Sequence, residues 1–200
     1  MARLEKYVQK YTYEDYKDWD TDERFELIDG DVYLMSAPSY NHQIIVGEIY
    51  SEIRNYLKGK KGRCRVVLSP ADVRLNFDTK DNTVVQPDVF VVCDKSKLDG
   101  QNCNGAPDFV LEVLSKSTSG KDKIIKFNKY LEAGVKEYWI IDPWDKHLAV
   151  HILENGRYVT KSYGLPEEDD EEKKQRNMAK VNIFEDLEID VNDLFSEIEE

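Results

Sequence analysis

No apolar run in this chain is long enough to cross a bilayer, and no basic-then-apolar segment stands at its amino end. Neither a membrane span nor a secretory signal is expected, and the location is read as cytoplasmic. Cysteine is scarce. The three present, Cys64, Cys93 and Cys103, are odd in number and lack a CxxC spacing. That argues against a disulfide framework or a cysteine-built zinc site and leaves small, partly buried thiols. An excess of positive charge is missing too, since 28 bases face 40 acids for a formal charge of −12. Yet residues 165–200 hold 14 of the acids and 4 of the bases, leaving 26 acids and 24 bases for residues 1–164. The acidity belongs to the tail, and a nearly neutral body can still present a basic groove to nucleic acid. No sugar platform is expected from the aromatic residues, which weighs against a carboxylate pair acting on glycosides.

What is there begins with length: 200 residues and 23.3 kDa suffice for one well-filled domain. Residues 1–164 form the expected core domain. Residues 165–180, nearly devoid of apolar side chains, read as an acidic mobile loop, and 181–200 as a segment whose apolar residues pack back on the core. Two apolar strands in the middle, TVVQPDVFVV (83–92) and FVLEVLS (109–115), each carry one acid, Asp88 and Glu112. A lone acid among Val and Leu is costly to bury unless it is paired, protonated or bound to a metal. Two of them in consecutive strands suggest convergence on a divalent cation.

Around these strands the patterning is regular. KYTYEDYKDW (10–19) has the spacing of a short helix, and RFELIDGDVYLM (24–35) reads as a β-hairpin turning at Asp29-Gly30. Alternation puts Glu26 on one face with Arg24 and Ile28, as a solvent-side acid or a third acid near the site. Ile45, Ile49, Ile53 and Leu57 form the stripe of a helix within 39–62, capped by Ser39 or Asn41 and ended by Gly59 or Gly62. His42 begins that stripe, as a core or capping histidine or as a site histidine at a helix start. RCRVVLS (63–69), ADVRLN (71–76) and 83–92 read as three successive strands of a meander, with Pro87 marking a strand start or a bulge.

Strand 109–115, a helix over 119–134 and the strand VKEYWIIDP (135–143) have the order of a right-handed βαβ crossover. On that helix Ile124, Phe127 and Leu131 are expected to face the core, with Asp122, Lys126 and Lys129 opposite and Asp122–Lys126 as a surface ion pair. Residues 147–164 read as a hairpin turning at Asn155-Gly156, with His147 and His151 at the surface.

The implied fold class is α/β (α+β), a central mixed β-sheet flanked by helices, with an added amino-terminal helix and hairpin and a carboxy-terminal hairpin. At this point the residues carry a resemblance. Pro87-Asp88 followed by a strand bearing Glu112, with ERFELIDG (23–30), the helix with His42, QPDVFVV (86–92), PDFVLEVLS (107–115), the Asp122-to-Lys126 spacing and GVKEYWIIDP (134–143), resembles a bacterial family of restriction endonuclease-like proteins within the PD-(D/E)XK nuclease superfamily. The motifs occur in order across roughly residues 12–195.

The resemblance implies a metal-dependent endonuclease that hydrolyses phosphodiester bonds of DNA. Asp88 and Glu112 would hold Mg²⁺ or Mn²⁺, joined by a main-chain carbonyl near residue 114. Glu26 would be an outer acid touching a metal-bound water, and His42 would touch the phosphate or a carboxylate. The superfamily signature has Lys two residues after the Glu, where this chain has Leu114; the family resemblance implies a lysine moved to the following helix, Lys126, with Lys116 a second candidate. The alternative is a catalytically inactive nuclease-fold module that binds nucleic acid or protein. A homodimer is the simplest arrangement for cutting both strands of a duplex. The acidic block 165–172 is expected to mimic a nucleic-acid backbone.

Overall fold

The computed structural model describes residues 9–115, 121–164 and 177–198, with the backbone alone over 121–123. Lys116, the side chain of Asp122 and the acidic block 165–172 lie outside the described residues.

A short helix α1 (Tyr13–Tyr16) precedes the hairpin β1 (Phe25–Ile28) and β2 (Asp31–Leu34). The turn falls where Asp-Gly requires it: Asp29 and Gly30 both have positive φ, 51° and 80°. A Cβ at Gly30 would come within 3.0 Å of Lys10 Cβ, so the chain entering α1 lies directly on this turn. Helix α2 (Tyr40–Gly59) starts at Ser39, whose side chain accepts from the His42 amide, and buries Ile45, Ile49, Ile53 and Leu57 as the stripe predicts.

The expected three-strand meander is redistributed over two sheets. β3 (Arg65–Leu68) pairs with β6 (Val89–Val92), while β4 (Val73–Arg74) pairs with β5 (Val84–Val85) in the other sheet. The predicted strand 83–92 is therefore broken between β5 and β6. Pro87 lacks an N–H for the ladder, so pairing stops there and the chain passes from one sheet to the next.

After β7 (Cys103–Asn104) comes the fully buried β8 (Phe109–Val113), then a π turn (Lys121–Lys126), α3 (Phe127–Ala133) and β9 (Glu137–Asp142). β8 and β9 are parallel, as a crossover demands. β10 (His147–Glu154) and β11 (Arg157–Gly164) form the carboxy-terminal hairpin of this body. β12 (Met178–Lys180) pairs with β13 (Glu188–Asp190) ahead of α4 (Val191–Ser196). Residues 178–180, expected to belong to the acidic loop, are thus a strand.

The central six-stranded sheet runs β11-β10-β9-β8-β6-β3, and the smaller sheet β2-β1-β5-β4-β7 packs beside it. One face of the large sheet takes α2 and the carboxy-terminal segment, through Ile49, Ile53, Trp139, Val181, Leu187 and Phe195. The other face takes α3 and the small sheet, through Tyr130, Tyr138, Leu114, Ile28 and Val85. Burial on both faces is why β8 and β9 read as nearly continuous apolar runs.

Three expectations need correcting. Cys64 and Cys93 are joined as a disulfide, because the antiparallel register of β3 with β6 continues to bring them opposite one another, a proximity that sequence spacing cannot reveal. Cys103 remains a buried thiol. His151 is buried rather than superficial, since β10 lies between β9 and β11 and Phe127 of α3 packs edge-on over its ring at 5.0 Å. The face of the crossover helix is also rotated. Ile124, expected inside, is 64% exposed, whereas Lys126, expected outside, is 2% exposed. The π turn widens the helix just before α3 and changes which residues face the sheet.

Candidate active site

Asp88 stands immediately before β6. Since Val89 lies opposite Leu111 and Phe90 opposite Val110, one further step of the antiparallel register brings Asp88 opposite Glu112. Side chains so opposed have Cβ atoms about 5 Å apart. The Val113 amide donates to Asp88 Oδ2 at 2.8 Å, fixing the carboxylate across the strand gap. His42, from the first turn of α2, brings Nε2 to the same oxygen at 3.2 Å. Burial works against the charged imidazole, but the Asp88 carboxylate, helped by the Gln43 side chain and the Val113 backbone, outweighs it and raises the His42 pKa above 6.5.

The second half of the site is built on Lys126. Its Nζ lies 2.7 Å from Glu26 Oε1 and 2.8 Å from Glu112 Oε1. All three residues are buried. Two more donors complete the arrangement: the Gln86 amide reaches Glu26 Oε1 at 3.0 Å, and the Tyr130 hydroxyl reaches Glu112 Oε1 at 2.7 Å. Lys126 and Tyr130 are four apart and therefore share a helix face. Burial drives the Tyr130 hydroxyl well above its ordinary pKa, so it stays protonated and donates. Such a cluster is tolerable inside a protein because ammonium and carboxylates compensate each other and each is hydrogen-bonded.

A cavity of about 320 Å³ opens onto these groups, lined among others by Glu26, His42, Asp88, Glu112, Lys126 and Arg24. The structure thus brings together all five side chains singled out in the sequence. Glu26 proves to be an interior acid beside the lysine, and His42 a partner of Asp88. Leu114 is not in this arrangement; its side chain is buried in the apolar cluster on the α3 side of the large sheet.

Sequence reasoning missed Tyr130, Arg24 and Gln86 as members of the site. Arg24 Nη2 donates to Gln86 Oε1 and to Ser69 Oγ, each at 2.8 Å. The signals were present: Tyr130 stands at i+4 from Lys126, Arg24 two strand positions before Glu26, and Gln86 two before Asp88.

The donor chemistry suits a hard divalent cation at Asp88 and Glu112, since Mg²⁺ keeps several waters and needs only one or two carboxylates from the protein. Among the described residues, no group of three or more His, Cys, Asp or Glu is arranged to enclose a metal.

A mixed sheet whose cross-strand acids converge with a helix-borne lysine defines a restriction-endonuclease-like fold, and comparison with known proteins agrees. The crystal structure of "a putative nuclease belonging to DUF820" from Anabaena variabilis superposes with a TM-score of 0.72, covering 93% of this chain and 98% of that one at 21% identity, a likeness of fold. The chain belongs to the Uma2 family, described as "Putative restriction endonuclease", whose profile matches residues 13–192. It is also 32% identical over 123 residues to the protein slr1290 of Synechocystis sp., a match spanning 60% of this chain and 62% of that protein.

Proposed function

We propose that this protein is a metal-dependent endonuclease that hydrolyses DNA phosphodiester bonds, with Mg²⁺ or Mn²⁺ held by Asp88 and Glu112. The observation that carries the reading is the convergence of Asp88, Glu112 and Lys126 on one cavity, with Lys126 Nζ 2.8 Å from Glu112 Oε1. The lysine absent at position 114 is supplied in space by position 126.

When bound, the cation supplies charge neutralisation at the phosphate and a more acidic water. The chain's own residues do the rest. Asp88 is oriented by His42 and the Val113 amide so that it presents its carboxylate to the cavity. Glu112 is oriented by Tyr130. Lys126 holds an ammonium proton toward the space where an attacking water and a phosphoryl oxygen meet, and Glu26 keeps that ammonium aimed and charged. Arg24, at the rim, offers a guanidinium to the nucleic-acid backbone. A twofold pair of such chains would cut both strands of a duplex.

The test is nicking of supercoiled plasmid with Mg²⁺, with Mn²⁺ and with EDTA. The native chain is expected to nick only with metal, and Asp88→Ala, Glu112→Ala and Lys126→Ala to lose at least about a hundredfold in rate. Nicking that survives Asp88→Ala and Glu112→Ala would falsify the assignment. Nucleic-acid binding without turnover would mark a binding module that retains the fold.

A further inference from the structure

A second cavity, of about 440 Å³, opens beside the first, and Arg24, Pro70 and Gln86 line both. One wall is aromatic. Trp19 meets Tyr16 and Phe25 edge-on with centroids 5.5 Å apart in each case, and Tyr13 lies 3.9 Å beneath the Arg74 guanidinium. The other wall is polar and centred on Asp72. Gln86 Nε2 donates to Asp72 Oδ1 at 2.9 Å, and the Tyr16 hydroxyl reaches the same oxygen at 3.2 Å.

Both donors fall on one oxygen. Among the described residues, Asp72 Oδ2 accepts no hydrogen bond. Burial raises the pKa of this carboxyl above the usual carboxylate value, against the lowering effect of Gln86, Tyr16 and Arg24. An acceptor in an aromatic, partly desolvated cavity calls for a flat ligand with an N–H donor. The distance from the proposed chemistry is one residue: Gln86 gives its amide to Glu26 in the first cavity and its side chain to Asp72 in the second.

We propose that the second cavity receives an unstacked nucleobase beside the scissile phosphate, and that Asp72 selects one bearing an exocyclic amino group, cytosine among the pyrimidines. The subsite rests on the nuclease reading above and deepens it, because a base can enter such a cavity only from single-stranded nucleic acid or after extrusion from a duplex. Stacking on the Trp19 and Tyr16 side supplies affinity that any base can use. Discrimination comes from Asp72, since cytosine presents an amino donor at the ring position where thymine presents a carbonyl acceptor.

The test is fluorescence anisotropy with labelled pentadeoxycytidylate and pentadeoxythymidylate in EDTA. The native chain is expected to bind the cytosine oligomer about tenfold more tightly. In Asp72→Asn, Oδ1 still accepts from Gln86 Nε2, the nearer donor at 2.9 Å, while the Tyr16 hydroxyl has the Phe25 carbonyl as a second acceptor at 3.2 Å; this turns the new amide NH₂ toward the cavity, and the preference is expected to reverse. Trp19→Ala should weaken both oligomers about tenfold without altering their order. No preference in the native chain, or an unchanged order in Asp72→Asn, overturns the proposal. Chelation stops turnover, so the outcome is independent of the nicking assay. Reversal without nicking keeps the subsite and removes the nuclease reading, while nicking with an unchanged order removes the subsite alone.

Discussion

Lys126 shows how one side chain can be misjudged by periodicity and correctly valued by geometry. Sequence spacing sets it with Asp122 and Lys129, opposite Ile124, Phe127 and Leu131, yet its ammonium sits between two interior carboxylates at 2.7 and 2.8 Å. Removing one partner of a buried ionic cluster leaves the others uncompensated, at a cost of about 3–5 kcal/mol. Lys126→Met is therefore expected to lower stability by that amount at neutral pH, read by urea denaturation. A loss below about 1 kcal/mol would mean that the lysine is not compensating buried charge. His151 makes a second prediction. Burial lowers its pKa from 6.5 to about 4, so the unfolded chain takes up a proton well before the folded one does. This contribution is fully present above pH 6.5 and is lost as pH falls from there toward about 4. Between pH 7.5 and pH 5 it amounts to about 2 kcal/mol. Unfolding of the native chain and of His151→Phe at both pH values should show that the variant loses less.

At the scale of elements, the carboxy-terminal segment is held to the large sheet by a buried acid. Glu137 on β9 accepts from Trp139 Nε1 at 2.7 Å, Asn182 Nδ2 at 3.1 Å and the Ile183 amide at 2.9 Å. It thereby ties residues 182–183 to the sheet face that Val181, Leu187, Val191 and Phe195 cover. Glu137→Ala strands these donors, and each buried polar group left unpaired costs about 1–3 kcal/mol. Faster amide exchange confined to residues 178–196 is the expected signature, and uniform acceleration across the chain would argue against local docking. The same scale explains the break in the predicted strand 83–92. Its apolar residues flank Gln86-Pro87-Asp88 on both sides, but Pro87 interrupts the ladder and lets β5 and β6 serve different sheets. That division leaves Gln86 lining both adjoining cavities and Asp88 lining the first.

Across the whole molecule, the hairpin turns, the α2 stripe and the crossover announced by local chemistry do form. Asp29-Gly30 and Asn155-Gly156 turn hairpins, the Ile45-to-Leu57 stripe is buried, and the β8–α3–β9 crossover is parallel. Each depends on residues close in sequence: a turn dipeptide, a helical period, a run of β-branched residues. The identities of Asp88 and Glu112 were legible for the same reason, since an acid in an apolar strand is conspicuous without coordinates. What the tertiary structure alone decided was pairing between distant segments: Cys64 with Cys93, His42 with Asp88, and Glu26 with Lys126. Those contacts depend on strand register, on the passage of the chain between two sheets, and on the π turn that aims Lys126 inward. A shift of one residue in register sends a side chain to the opposite face of a sheet. Sequence therefore determined which acids and bases the site could contain, and packing determined which of them meet.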